Sequence, residues 1–131
     1  MNKTRVRVET TVHPTEHPEK VKRAVENVFG AMNFEEKPLK QGSLLVAETV
    51  NGLTKIYNQL RRQRIRGAAR TLLLRGLRGK TITFYLNKQA AYVGRASFSS
   101  AAGESPLGPI KVQIRCENPQ EVINWLAPKT V

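Results

Sequence analysis

The sequence predicts one α+β domain spanning residues 1–131, in which helices cover one face of a five-stranded mixed or antiparallel sheet. Some segments alternate apolar and polar residues with the period of a half-buried strand, and others repeat apolar residues at helical spacing. Together they give the order β-α-β-α-β-β-β-α. Three helices cannot cover both faces of five strands, which favours a two-layer arrangement. A chain of 131 residues is long enough to bury a core.

The first half of the chain contains two predicted strands and one clear helix. Residues 5–12 alternate, with Val6 and Val8 on the inner side and Arg7 on the outer side. A helix follows the turn at residues 13–18 and ends at Gly30, a residue typical of helix C-termini. Residues 33–42 read as a loop, and residues 43–49 as a strand with a nearly continuous apolar run.

Residues 51–80 are expected to form one long basic helix followed by a turn. Asn51 is a plausible N-cap, and the helix should run to about Leu74, with a kink or a close backbone approach at Gly67. At 100° per residue, four cations fall within a sector of about 80°. These are Lys55, Arg62, Arg66 and Arg70. Arg61 and Arg64 project towards the apolar side, so each must snorkel or meet a partner.

The second half of the chain predicts three strands and a final helix. The strands cover residues 81–86, 92–99 and 110–116, separated by a connection at 87–91 and a loop at 100–109. Asn118 should cap the helix, because Pro119 suits its first position and Glu121 completes a near capping box.

The charge distribution indicates a polyanionic partner. No acidic residue lies between Glu48 and Glu104, whereas eleven Lys and Arg residues do. A basic excess confined to one segment creates a directed positive field. The outward side of the sheet is expected to be basic as well, since it would present Arg5, Arg7 and Arg115; that face could bind nucleic acid or a second subunit.

Other classes of protein fit the composition poorly. No apolar run approaches the ~20 residues that span a bilayer, and the N-terminus reads as a strand rather than a signal. The absence of Asp excludes a Ser-His-Asp triad, and with one Cys and two His a structural zinc site is not expected. The GLRGK run lacks the spacing of a phosphate loop. We expect a cytoplasmic protein without a cofactor.

Several runs of the chain resemble a known family. They are HPTEHPEKVKRAVENVF, QRIRGAAR, FYLNKQAAYVG, SPLGPIKVQI and INWLAP. Together they are similar to the archaeal uncharacterised protein family 0201 over nearly the whole chain. The resemblance implies a fold similar to that of the large-subunit ribosomal protein that binds five-S RNA, and hence RNA binding. It implies no functional residues.

The predicted function is binding of structured RNA, ribosomal or transfer RNA for example, mainly through its phosphates. Lys88 and Gln89 are predicted to make closer contacts with base edges or ribose, and the other contacts are assigned to Lys55, Arg62, Arg66, Arg70, Arg75, Arg78 and Lys80. One alternative is a homodimeric interaction module that binds no nucleic acid. Another is an enzyme acting on RNA or a nucleotide with Glu48 or Glu104.

Overall fold

The fold is an antiparallel sheet with helices packed on one face. The computed structural model describes residues 3–101 and 107–129, and this part of the chain contains seven strands and five helices. In chain order they are β1 (Arg5–Val12), α1 (Pro18–Phe29), β2 (Phe34–Pro38), β3 (Ser43–Val50), α2 (Thr54–Gln63), α3 (Arg66–Arg75), β4 (Leu77–Arg78), β5 (Thr81–Asn87), α4 (Lys88–Tyr92), β6 (Phe98–Ser99), β7 (Pro109–Arg115) and α5 (Pro119–Leu126). The strand order is β2-β3-β1-β7-β5-β4, and β6 also pairs with β5.

The two faces of the sheet differ as the alternation predicts. Val8, Val112 and Phe84 form a row across β1, β7 and β5, and each is at most 3% exposed. On the other side of the same strands, Arg7 pairs with Gln113 and both are half-buried. The helices therefore cover one face only, and we call the other the open face. The predicted α+β class and its two layers are confirmed.

Two predictions about strands were wrong. Residues 33–42 are not all loop, because they include β2, which pairs with β3 along its full length. Four of the five residues of β2 are exposed, as suits a charged edge strand, so its sequence lacks the alternation that reveals a strand. Residues 92–99 are not one strand either. The side chain of Asn87 accepts a hydrogen bond from the Ala90 N–H and caps α4, which extends to Tyr92. Of residues 92–99, only Phe98–Ser99 form a strand, β6.

The predicted long basic helix is two helices. The chain breaks at Arg64, whose φ of 55° is left-handed, rather than at Gly67. In a continuous helix, Leu60 and Ala69 would point in directions about 180° apart. Both are buried, because the break turns the second helix so that its apolar side also meets the core. Within the described ranges, no helix is long and apolar enough to cross a membrane.

Two of the three helix-end residues predicted from the sequence terminate or cap a helix, and the third does not. Gly30 terminates α1 with a φ of 87°, and the side chain of Asn118 accepts a hydrogen bond from the Glu121 N–H at 3.3 Å. Asn51, by contrast, does not cap α2. Its side-chain oxygen accepts a hydrogen bond from the Thr4 N–H at 3.0 Å, and its own N–H donates to the Thr4 carbonyl. Asn51 thus fastens the end of β3 to the start of β1.

A buried ion pair joins three distant parts of the chain. The Lys88 ammonium lies 3.1 Å from the Glu16 carboxylate and donates hydrogen bonds to the carbonyls of Thr11 and Leu107, at 2.6 and 2.8 Å. The other oxygen of Glu16 accepts a hydrogen bond from the Tyr92 hydroxyl at 3.0 Å. Burial lowers the pKa of Lys88, while Glu16 acts in the opposite direction. Because every charged atom here has partners, the cluster holds β1, α4 and the start of β7 together.

The phenol of Tyr92 should titrate apart from an ordinary tyrosine. Burial, with the hydrogen bond to Glu16 as a second cause, raises the pKa of Tyr92 from 10.0 to about 12. The folded pKa exceeds the unfolded one, so this contribution to stability is complete below pH 10 and is lost as the pH rises through 12. Ultraviolet titration should show a phenolate component near pH 12 that Tyr92→Phe removes. Persistence of that component in Tyr92→Phe would contradict the assignment.

Candidate nucleic-acid interface

Three arginines project from the break between α2 and α3. Arg62 is exposed in the last turn of α2. Arg64 is exposed at the break itself, and Arg66 is half-buried in the first turn of α3. Among the described residues, none of the three forms an ion pair. We call them the junction cluster. The break concentrates positive charge at one place, instead of spreading it along a single helical sector as the sequence predicted.

Arg61 has a different role from its neighbours. Its guanidinium carbon lies 4.3 Å from the centre of the Tyr57 ring, and that ring stacks on Trp125 at a centroid distance of 4.3 Å. Of the two alternatives predicted for Arg61, snorkelling or meeting a partner, the structure shows the second, because a cation–π contact holds it against α2. Arg64 meets no such partner in the part of the chain that the structure describes. Sequence reasoning directed it towards the apolar side of a continuous helix, so the break was needed to expose it.

Substitution of Arg64 should reveal the break. A left-handed residue with a Cβ costs roughly 1–2 kcal/mol, a strain that glycine avoids. Arg64→Gly should therefore be more stable than Arg64→Ala, by about 1 kcal/mol in chemical denaturation. In a continuous helix the order would reverse, because alanine exceeds glycine there by about 1 kcal/mol. Both variants lose the same charge, so a shared loss of RNA affinity would be electrostatic.

Lys55 and Arg70 are occupied by contacts within the fold. The Lys55 ammonium donates to the Glu26 carbonyl at 3.1 Å, near the end of α1. The Arg70 guanidinium donates to the Asn124 side chain at 2.9 Å and to the Ala127 carbonyl at 3.1 Å, at the end of α5. Lys55 shares α2 with Arg62, and Arg70 shares α3 with Arg66, so the four cations do not lie on one helix as predicted. Each has a structural contact to give up before it could bind RNA.

A second group of cations surrounds the β4–β5 hairpin. Arg75, Arg78 and Lys80 are all exposed, and we call them the turn cluster. Arg78 donates to the Arg75 carbonyl at 3.1 Å, which holds the hairpin against the end of α3. Lys80 pairs with Glu117 at 2.6 Å, and that hydrogen bond lowers the pKa of Glu117. Arg75 lies about half a turn around α3 from Arg66, so the two clusters face different directions.

The two predicted contact residues in the LNKQAA run, Lys88 and Gln89, differ in their exposure to solvent. Gln89 is exposed and stays a candidate. Lys88 is 0% exposed, and three hydrogen bonds occupy its ammonium group. A base-edge or ribose contact requires a reachable side chain, so Lys88 is withdrawn from the interface and is given a structural role. A basic residue in a loop is normally exposed, and no local pattern in the sequence indicates that Glu16 lies beside this one.

Of the two glutamates of the enzyme alternative, the structure describes only Glu48. Glu48 is 69% exposed on the open face, 3.7 Å from Arg7. Glu104 lies outside the described residues. Cys116 is buried, and burial raises the pKa of its thiol, so its reactive thiolate form is disfavoured.

Comparison with known proteins identifies the family of this chain. A family model described as RNA binding matches residues 5–116. A UPF0201 protein from Sulfurisphaera tokodaii is 46% identical over 129 residues, which cover 97% of this chain and 89% of the relative. The chain belongs to the UPF0201 family. A UPF0201 protein from Pyrobaculum aerophilum is 45% identical over 130 residues, covering 96% of this chain and 90% of its own length. The family predicted from the quoted runs is confirmed.

Solved structures support the UPF0201 fold. The crystal structure of a UPF0201 protein from Methanococcus jannaschii matches with a TM-score of 0.87 and 32% identity, covering 97% of this chain and 95% of that one. Mth689 of Methanothermobacter thermautotrophicus, a DUF54 protein, matches with a TM-score of 0.62 at 18% identity. At that identity the likeness is one of fold alone. The similarity to the ribosomal protein that binds five-S RNA stays a prediction.

Proposed function

We propose that this UPF0201 protein binds structured RNA in the cytoplasm, through phosphate contacts made by the junction cluster and the turn cluster. The observation that carries the proposal is the match of an RNA-binding family model to residues 5–116, which include both clusters. The junction cluster consists of Arg62, Arg64 and Arg66. The turn cluster consists of Arg75, Arg78 and Lys80. Arginine suits this role because its planar guanidinium meets two phosphate oxygens at once.

The surroundings of the clusters favour recognition of shape over sequence. Both lie within the window of residues 49–103 that has no carboxylate, and among the described residues only Lys80 of the six cations has a carboxylate partner, Glu117. Tyr57 is stacked against Trp125 and Arg61, which leaves it unavailable as a platform for a base. An interface of exposed cations fixes the position of an RNA backbone without reading its bases. Ribosomal and transfer RNA are therefore suitable candidates as folded RNAs.

The test is the salt dependence of binding to unfractionated transfer RNA. The junction variant combines Arg62→Gln, Arg64→Gly and Arg66→Gln, which remove three cations without removing a core side chain. Each lost phosphate contact lowers the salt slope by about 0.7–0.9, so this variant should lose about two to three units of slope. Affinity for different folded RNAs should fall together.

Lys20→Gln with Lys40→Gln provides a control for the loss of cations elsewhere on the surface, with two charges removed against three in the junction variant. Both residues are exposed, at the start of α1 and at the β2–β3 turn. This variant should retain the wild-type slope to within one unit. A slope unchanged in the junction variant would remove the junction cluster from the interface. Failure of the wild-type protein to bind any folded RNA at low salt would reject the proposed function.

The interaction-module alternative is favoured by the apolar residues on the open face. Val50 is 48% exposed there, and Tyr85 is half-buried two strands beyond β1. A homodimer through this face should appear in sedimentation at micromolar concentration, and Tyr85→Glu should weaken it. A stable dimer that does not bind added RNA would favour the interaction module. A monomer that forms a complex with RNA would favour the proposed function.

A further inference from the structure

Two arginines lie opposite each other across the central strands of the open face. Arg5 at the start of β1 pairs in register with Arg115 at the end of β7, so their side chains emerge side by side. Like charges in such positions destabilise a sheet. Both are exposed, and neither side chain forms a hydrogen bond or an ion pair with another described residue. The fold thus keeps this unfavourable pair of charges, and Glu117 acts on Arg115 electrostatically without forming an ion pair with it.

Further cations converge on the same corner of the sheet. Two adjoining depressions share Lys3, Arg5 and Arg115 in their walls; Arg7 completes one and Lys80 the other. The described walls hold two carboxylates against these five cations. Glu48 already pairs with Arg7 and Glu117 with Lys80, and Arg115 helps to lower the pKa of Glu117. Three cations are left over, and we call Lys3, Arg5 and Arg115 the sheet corner.

The sheet corner adjoins the turn cluster. Thr81 pairs with Arg115 on one side and with Arg78 on the other, so the β4–β5 hairpin lies beside β7 at this end of the sheet. Lys80 belongs to the turn cluster and also lines a depression at the corner. Cations therefore lie at the end of α3, along the hairpin and at the start of β1, with Glu117 paired to Lys80 among them. The depressions are open and carry no aromatic wall, which suits a backbone of phosphates rather than a buried base.

We propose that the sheet corner is a second RNA contact, which grips phosphates next to those held by the turn cluster. This inference rests on the proposed function and extends it to the open face. Arg5 and Arg115 together present two guanidinium groups, whose geometry suits neighbouring phosphates of one strand. An RNA phosphate between them relieves the repulsion between the two guanidinium groups.

The test compares three variants with the wild-type protein on unfractionated transfer RNA. They are the corner variant Arg5→Gln with Arg115→Gln, the junction variant, and the Lys20→Gln with Lys40→Gln control. β1 runs from Arg5 towards Val12, and the control lysines lie towards the Val12 end. The corner and control variants lose the same charge. The corner variant should lose about 1.4–1.8 units of salt slope, with a thermal midpoint equal to or above that of the wild type.

Each outcome decides one proposal. If the corner variant has the same salt slope of RNA binding as the control, the corner site is overturned. The proposed function survives that result if the salt slope of the junction variant is still reduced. A loss confined to the corner variant supports the corner and removes the junction cluster. A corner variant with lower affinity, unchanged slope and a lower thermal midpoint also overturns the site, because its residues would then act through the fold. Absence of RNA binding by the wild-type protein rejects both.

Discussion

Replacing Lys88 by Met is expected to lower the free energy of unfolding by about 3–5 kcal/mol. Met fills a similar volume but cannot donate. The Glu16 carboxylate, 5% exposed, would then be a buried charge without its cation, and the Thr11 and Leu107 carbonyls would lose this donor. Removing one member of a buried pair costs more than removing both, because the remaining charge is left in a medium of low polarity. Chemical denaturation measures the effect.

The matched variants for this prediction are Lys88→Met with Glu16→Gln, and Gln89→Ala. The double variant should be more stable than Lys88→Met alone, since no buried charge remains. Gln89 is the exposed neighbour, so its truncation should change stability by less than about 0.5 kcal/mol. If Lys88→Met left stability unchanged but weakened RNA binding, the ammonium would have to be exposed in solution, and the buried network would be wrong.

Truncating Ile114 to Ala is expected to cost about 2–5 kcal/mol. Ile114 is 0% exposed and lies between Val6 and Ile82 on the covered face of β7. The alanine leaves a cavity that the neighbouring strands cannot close without disturbing their pairing. Both thermal and chemical denaturation should show the loss, with RNA affinity unchanged under conditions in which the variant is folded.

Arg115→Gln is the control for the covered face, because Arg115 is the next residue on the same strand and points the other way. It is exposed, so its replacement should change stability by less than about 0.5 kcal/mol. Loss of the repulsion from Arg5 would make any change favourable. Comparable losses from Ile114→Ala and Arg115→Gln would show that both faces of β7 are buried, and the two-layer fold would then be wrong.

Sequence periodicity was sufficient for the central strands and failed for the edge. β1, β5 and β7 each bury one side and leave the other half-buried or exposed, so alternation revealed them. The edge strand β2 buries almost nothing, and its order FEEKP contains no period to detect. Its place in the sheet is set by hydrogen bonds to β3, which a pattern of side chains does not encode.

Long-range partners explain the errors in the site. The shift of the apolar stripe near Gly67 was visible in the sequence, but only packing against the core decides that the helix breaks at Arg64 instead of kinking. Lys88 counted as a surface cation because Glu16, 72 residues away, is invisible to local reasoning. The sequence did predict a basic outward face that includes Arg5 and Arg115, but it did not predict that these two lie side by side, because they become neighbours only when β1 and β7 pair.

The place of β7 in the strand order has a consequence for the chain as it is being made. β1 lies between β3 and β7, so one of its two edges stays unpaired until residues 109–115 have left the ribosome. Until then the nascent chain exposes a strand edge that can pair with other chains. A ribosome that stops before residue 109 releases a product whose sheet is missing its central connection between β1 and β5. Such truncated products should aggregate, and the domain should become resistant to protease only near the end of its synthesis.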